Sequence, residues 1–181
     1  VLLEETRRQA IEAAPHGPET ARMNLYCLLL KQMQDPASTP PETIEAEAHR
    51  FAELLRKTDD VGTVVEGVPM LNVIPNVGPD LSIGVMEAQL ARDPDALDLQ
   101  LELARRLYFM DRVDDAETRA KDVLDRPTLP AGRVSQIQFA LRKQAAGVLV
   151  DVEGRRYETA EESAKPSHLR RVEGARDLSS R

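Results

Sequence analysis

Apolar side chains recur at three- and four-residue intervals along most of the chain, the spacing that puts them on one side of an α-helix. Between Glu19 and Gln34, residues Ala21, Leu25, Leu28 and Leu29 form such a stripe, with Tyr26, Leu30 and Met33 beside it. This helix is expected to be buried on two sides. The segment PETIEAEAHRFAELLRK repeats the pattern with Ile44, Ala48, Phe51 and Leu55, after a start with proline in its first turn and acids close behind. Further helices are predicted from a cap at Asp80 to about Arg92, from Ala96 to Met110, and from a tight connection at 111–113 to just before Pro127. A last one begins near Ala131, with a stripe of Val134, Ile137, Leu141 and Ala145. The first residues, LEETRRQAIEAA over 3–14, read as the end of a helix stopped by Pro15 and Gly17.

Two segments break the pattern. In VEGVPMLNVIPNVGPDL, Pro69, Pro75 and Pro79 alternate with Gly67 and Gly78. Interior proline removes an amide donor and clashes with the preceding turn, so an extended, Pro-rich insertion is expected over 61–79. Its side chains Val65, Val68, Met70, Leu71, Val73 and Ile74 must still leave water. They pack across the chain's own helices in place of the missing one, or they dock on another protein. Farther on, VLVDVEGRRYE alternates Val148, Val150 and Val152 ahead of Glu153 and Gly154, which fits a short hairpin as well as a frayed continuation of the helix. Beyond Tyr157 the chain is polar and reads as a tail that is disordered or held by a partner. The expected organisation is one helical domain over 1–147 and a hairpin with an extended or disordered tail over 148–181.

Helix ends recur in similar form, QAIEAAP at Pro15, QLARDP at Pro94 and DVLDRP at Pro127. Pro94 and Pro127 are 33 residues apart, close to the ~34 residues of one helix-turn-helix repeat. Between them, LARRLYFMDRVDDA from Leu103 to Ala116 resembles the turn between the two helices of a tetratricopeptide repeat. Leu103 and Ala104 match its large-then-small pair, Tyr108 its packing aromatic and Ala116 the small residue at the helix crossing. Asp111 stands where that family usually has glycine, and Ala120 where a bulky aromatic is common. The resemblance implies an all-α, antiparallel helix-pair solenoid whose first helices line a concave groove. It puts Arg105 and Tyr108 on the groove wall, joined by Arg142 and Lys143 if the helix from Ala131 is the next first helix. An acidic peptide or a chain-terminal carboxylate would suit such a basic pocket. Because a solenoid needs a polar cap at each end, residues before Val1 or a partner are expected to cover its first half-unit.

Composition narrows the function. The chain has 181 residues, 41% hydrophobic and 30% charged, but only 3% aromatic, so Ala, Leu and Val must build a globular core. Its 31 acidic against 24 basic side chains give a net charge of -7, which argues against a nucleic-acid partner, because phosphate binding needs clustered cations. No apolar run approaches the ~20 residues of a membrane span. A single cysteine, Cys27, leaves no internal disulfide, and in an apolar helix it reads as a small buried hydrophobe. His16, His49 and His168 are scattered and fit no metal motif, and Asp59-Asp60 and Asp114-Asp115 fall at turns or helix starts, where acids favour the helix dipole. No nucleophile motif, phosphate loop or dinucleotide fingerprint occurs. No cofactor, metal or catalytic residue is therefore expected. The reading is a noncatalytic protein-interaction scaffold, as a structural or accessory subunit of an assembly. The alternatives are a transient peptide-binding adaptor and a helical accessory domain of an enzyme.

Overall fold

The structure is a computed structural model that describes residues 5, 8, 16–127, 133–160 and 164–180. Among these residues all regular structure is helical, with no strand. The chain divides into two compact units, Val1–Asp93 and Pro94–Arg181. The helix expected over 3–14 lies outside the described residues, except that Glu5 and Arg8 are helical.

The first unit holds α1 (Pro18–Gln34), α2 (Pro41–Lys57), α3 (Val61–Asn72) and α4 (Gly78–Arg92). Three of these have proline in the first turn, where a missing amide hydrogen costs nothing. The fourth, α3, is capped by Asp60, whose carboxylate accepts from the Gly62 amide at 3.0 Å and the Thr63 hydroxyl at 2.6 Å. The predicted α2 stripe, Ile44, Ala48, Phe51 and Leu55, is buried against α1, α3 and α4. In α1 the buried side chains fall on two sides, Ala21 and Leu25 on one and Met23 nearly opposite them. Ala21, Met23 and Leu25 are in the core, whereas Tyr26 and Met33 are exposed and Leu28, Leu29, Leu30 and Cys27 are half-buried.

The expected extended insertion over 61–79 is instead helix α3 followed by a tight corner. Val64, Val68 and Leu71, spaced four and three residues apart, are each at most 1% exposed. At about 2 kcal/mol per buried aliphatic side chain, they outweigh the roughly 3 kcal/mol of an interior proline. Pro69 and Val65 both face outward, so the Val65 carbonyl that loses its amide partner lies on the open side. The chain turns only after Asn72. There Asn76 adopts a left-handed φ of 64°, and the Gly78 amide donates to the Ile74 carbonyl at 3.2 Å. A Cβ on Gly78 would stand 2.0 Å from the Leu71 carbonyl oxygen, so this corner requires glycine. α4 begins at Gly78, and Asp80 sits in its first turn rather than at its cap.

The second unit holds α5 (Leu97–Phe109), α6 (Val113–Asp125), α7 (Arg133–Thr159) and α8 (Lys165–Ser180). Leu103, Ala104, Ala116 and Ala120 are fully buried where α5 meets α6. Asp111 takes the glycine position of the turn at φ 63°, a conformation that aspartate tolerates better than most residues. Two buried glutamines latch helix starts to preceding proline carbonyls, Gln100 to Pro94 at 2.6 Å and Gln138 to Pro127 at 2.8 Å.

Of the two readings of VLVDVEGRRYE, the helical continuation holds rather than the hairpin, and the tail expected to be extended or disordered is helical as well. α7 runs unbroken through the 147–148 boundary, with Val148 and Val152 buried one helical turn apart, so the alternation of valines was a helical face met with half-buried Val150 between. The tail beyond it forms α8, which packs on α7 through buried Val172 and Ala175. The α7 stripe is also displaced. Ile137 is exposed and Leu141 half-buried, Val134 lies outside the described side chains, and of that set only Ala145 is in the core. Gln138, Ala146, Leu149 and Glu153 join Val148 and Val152 on the buried sides, because α7 meets α5 and α6 on one side and α8 on another.

Candidate functional site

An apolar groove of about 760 Å³ lies between α1 and α3 in the first unit. Met23, Tyr26, Leu30 and Met33 come from α1 at helical spacing, and Pro69, Met70 and Val73 face them from α3 and its end. Tyr26 and Val73 are 40% and 62% exposed and Met33 is 81% exposed. Among the described residues the polar lining is limited to Arg22, Gln32 and Glu66. Arg22 is tied to Glu19 at 2.8 Å and reaches Glu66 at 3.5 Å across the rim, so little free charge faces the groove.

The groove sorts the Pro-rich stretch into two sets. Val68, Leu71 and Ile74 are core, while Met70 and Val73 form a wall open to a ligand. Of the side chains weighed, Val68, Leu71 and Ile74 are thus buried within the chain, and Met70 and Val73 stand on the groove side. The α1 half of the groove was missed in the sequence. Its signal was an apolar surface too wide for one buried stripe, with Tyr26, Leu30 and Met33 beside the core-facing set.

In the second unit, Arg105, Tyr108 and Phe109 of α5 and Gln144, Val148 and Asp151 of α7 enclose a cavity of about 330 Å³. Arg105 donates to the Gln144 amide oxygen at 2.7 Å and lies 4.0 Å from Glu102. The Arg155 guanidinium stacks 4.4 Å over the Tyr108 ring and donates to the Tyr108 carbonyl and the Asp111 carboxylate at 3.0 and 2.9 Å. Arg142 does not line this cavity, and its guanidinium donates to the Arg126 carbonyl at 2.9 Å. Lys143 is exposed and does not line it either. The four residues expected to form one basic pocket thus divide into a placed pair, Arg105 and Tyr108, and two that stand apart from it.

A charged cluster that the sequence did not reveal joins α6, α7 and α8. Arg156 pairs with Asp114, with Glu117 at 2.7 Å and with buried Glu153 at 2.9 Å. Burial alone would lower the Arg156 pKa, but the hydrogen bonds it donates to Asp114, Glu117 and Glu153 carry it above the ordinary arginine value. For Glu117, burial pushes the carboxyl up, and Lys121 and Arg156 more than offset it, leaving it below its usual range. From α8, His168 Nδ1 lies 3.0 Å from Glu153 and Arg171 reaches it at 3.8 Å. The cluster became legible only once the tail was helical, because His168, Arg171, Val172 and Ala175 then share one face.

Among the described residues, no group of three His, Cys, Asp or Glu side chains is placed to hold a metal ion. Among them, too, no helix is long and apolar enough to cross a membrane. In comparison with known proteins, the chain matches no family model, and no curated protein or solved structure is significantly similar to it.

Proposed function

We propose that the chain is a noncatalytic protein-interaction scaffold, a subunit of a larger assembly whose partner lays the apolar face of an amphipathic helix into the α1–α3 groove. The observation that carries this reading is the groove itself, apolar on both walls and rimmed by few polar groups. An exposed apolar surface of this kind marks an interaction site. A helix suits it better than an extended peptide, because a helix satisfies its own amides and carbonyls, whereas these walls offer few partners to a bare backbone. Flexible Met23, Met33 and Met70 adapt to the shape that enters. The helical-repeat reading of tetratricopeptide type is supported by buried Leu103, Ala104 and Ala116 at the α5–α6 contact and by the two glutamine-to-proline latches. An acidic-peptide adaptor has less support, since Arg105 is engaged by Gln144 and shares its cavity with Asp151.

The test is recovery of the assembly from the native source with full-length Met33→Glu and Val73→Glu chains, with stoichiometry read by mass spectrometry. Both side chains are exposed, so the melting temperature should hold within about 2 °C, as surface changes cost within about 0.5 kcal/mol. A single partner retained at fixed ratio by the unaltered chain and by Arg105→Ala, and lost by both groove variants, is the expected result. Retention of the same partner at the same ratio by the groove variants would refute the reading.

A further inference from the structure

The chain has five methionines, and three of them, Met23, Met33 and Met70, line the α1–α3 groove. The other two lie elsewhere, Met86 fully buried in α4 and Met110 half-buried at the end of α5. Within the groove the three thioethers differ in access. Met33 is 81% exposed on the last turn of α1, Met70 is half-buried on α3, and Met23 is only 9% exposed. A thioether is oxidised only where the oxidant can reach its sulfur, so Met33, followed by Met70, is the open position. Cys27, half-buried on α1, does not line the groove.

Oxidation turns each soft, apolar sulfur into a polar sulfoxide that accepts hydrogen bonds. The groove has little to offer such an acceptor. Of its polar lining, Glu66 has no hydrogen to give and Arg22 is held by Glu19 and Glu66, which leaves the Gln32 amide as the main donor. While the groove is open, sulfoxides at positions 33 and 70 keep their water. An apolar occupant strips that water and supplies nothing in return, so the cost falls on binding and not on folding.

We infer that Met33 and Met70 are modification sites for a hydroperoxide, and that their conversion to sulfoxides closes the groove to apolar occupants until they are reduced again. This rests on the groove being the docking site. With hydrogen peroxide the sulfur lone pair attacks one peroxide oxygen, and the S–O bond forms as the O–O bond breaks. The departing hydroxide takes the remaining proton and leaves as water. Sulfur gives up two electrons and the peroxide accepts them. Methionine sulfoxide reductases run the return step, in which the oxygen leaves as water while two thiols of the reductant become a disulfide.

The full chain is treated with hydrogen peroxide, conversion of each methionine is followed by peptide mass spectrometry, and the neutral apolar dye Nile red is titrated before and after. Met33 should convert first and Met86 last. With Met33 and Met70 both converted, dye affinity should fall about 10-fold or more, the effect of leaving a covered polar group unpaired. The melting temperature should hold within about 2 °C. Treatment with methionine sulfoxide reductases A and B and dithiothreitol should restore dye binding. A Met33→Leu/Met70→Leu chain, which keeps Cys27, Met23 and Met110, is compared with its own untreated sample and should lose less than about 2-fold.

Unchanged dye affinity in a chain converted at both positions overturns the proposal, as does an equal loss in the leucine chain or conversion of Met33 no faster than Met86. An unoxidised Val73→Glu chain separates this failure from that of the groove itself. If it binds the dye as tightly as the unaltered chain, the groove is not the apolar site and both readings fall. If it binds weakly while the oxidised chain binds as before, the groove stands and the oxidation proposal alone is refuted.

Discussion

Gly67 and Gly84 provide a comparison in which the same substitution, at the same closest distance, should change stability in opposite directions. Both lie inside helices of the first unit, α3 and α4, and neither has a positive φ. Replacing glycine by alanine inside a helix gains about 1 kcal/mol where space permits. At Gly67 a new Cβ would stand 2.7 and 2.9 Å from the two δ-methyls of Leu55 and 3.0 Å from Phe51 Cζ. Leu55 and Phe51 are 0% and 1% exposed, so neither can swing aside, and α3 must move away from α2. Overpacking of this kind costs about 1–3 kcal/mol, and contact with two immobile side chains belongs in the upper half of that range. Net of the helical gain, Gly67→Ala should lose about 1–2 kcal/mol.

At Gly84 the nearest atom is also 2.7 Å away, but it is Arg56 Nη2, and the next atoms lie at 3.6 and 3.7 Å. The tip of a long, partly exposed arginine rotates at little cost, so Gly84→Ala should gain about 0.5–1 kcal/mol. Urea unfolding of both variants, followed by far-UV circular dichroism, reads the difference of roughly 1.5–3 kcal/mol from the midpoints. A Gly67→Ala chain as stable as Gly84→Ala would refute the close approach of α3 to α2. In an extended segment the change would have the other sign, because alanine restricts the unfolded chain and has nothing to strike.

Two further substitutions read the faces of α3. Leu71→Ala should cost about 2–5 kcal/mol, since it empties a fully buried site, whereas Val73→Ala on the open wall should stay within about 0.5 kcal/mol; equal losses on calorimetry would contradict the assigned orientation. The Thr63 hydroxyl, followed by the Gly62 amide, holds the Asp60 carboxyl below its ordinary value. Its folded pKa being the lower one, the stability it confers is complete above the ordinary aspartate range and is lost as pH falls through the folded value. An Asp60→Asn chain should therefore show a flatter decline of stability with acidification than the unaltered chain, and identical pH profiles would remove Asp60 from the account.

The helices from Glu19 to Lys57 and from Ala96 to Asp125 were legible because each carries one apolar stripe and a proline or charged boundary. Leu103, Ala104 and Ala116, which the resemblance to a tetratricopeptide turn implies as packing residues, are buried where α5 meets α6. α3 was not legible, because local rules set proline against helix while the deciding burial of Val64, Val68 and Leu71 depends on α2 and α4. The end of the chain failed for a related reason. Val148 and Val152 satisfy both an alternating and a helical pattern, and only the neighbouring helices select between them. The Glu153 cluster needs three helices in place before its residues meet, and no spacing along the chain announces it.

The same two residue types that made α3 look impossible as a helix give it two unlike sides. Gly67 has no side chain, which lets α3 lie against Leu55 and Phe51 of α2 at a distance that any larger residue would forbid. Pro69, two residues on, faces the groove, where its missing amide hydrogen leaves no donor to satisfy and its ring presents rigid hydrocarbon. A proline wall loses almost no side-chain entropy when covered, in contrast to the methionines opposite, which lose more but conform to whatever enters. One helix thus carries a tight inner contact and a stiff outer surface within three residues. The inner contact fixes where α3 stands, and the outer one keeps the Val65 carbonyl that proline leaves without an amide on the side open to water. Placed in the usual helical order, a leucine at 67 and an alanine at 69 would read more plainly as a helix. The leucine at 67 would push α3 off α2.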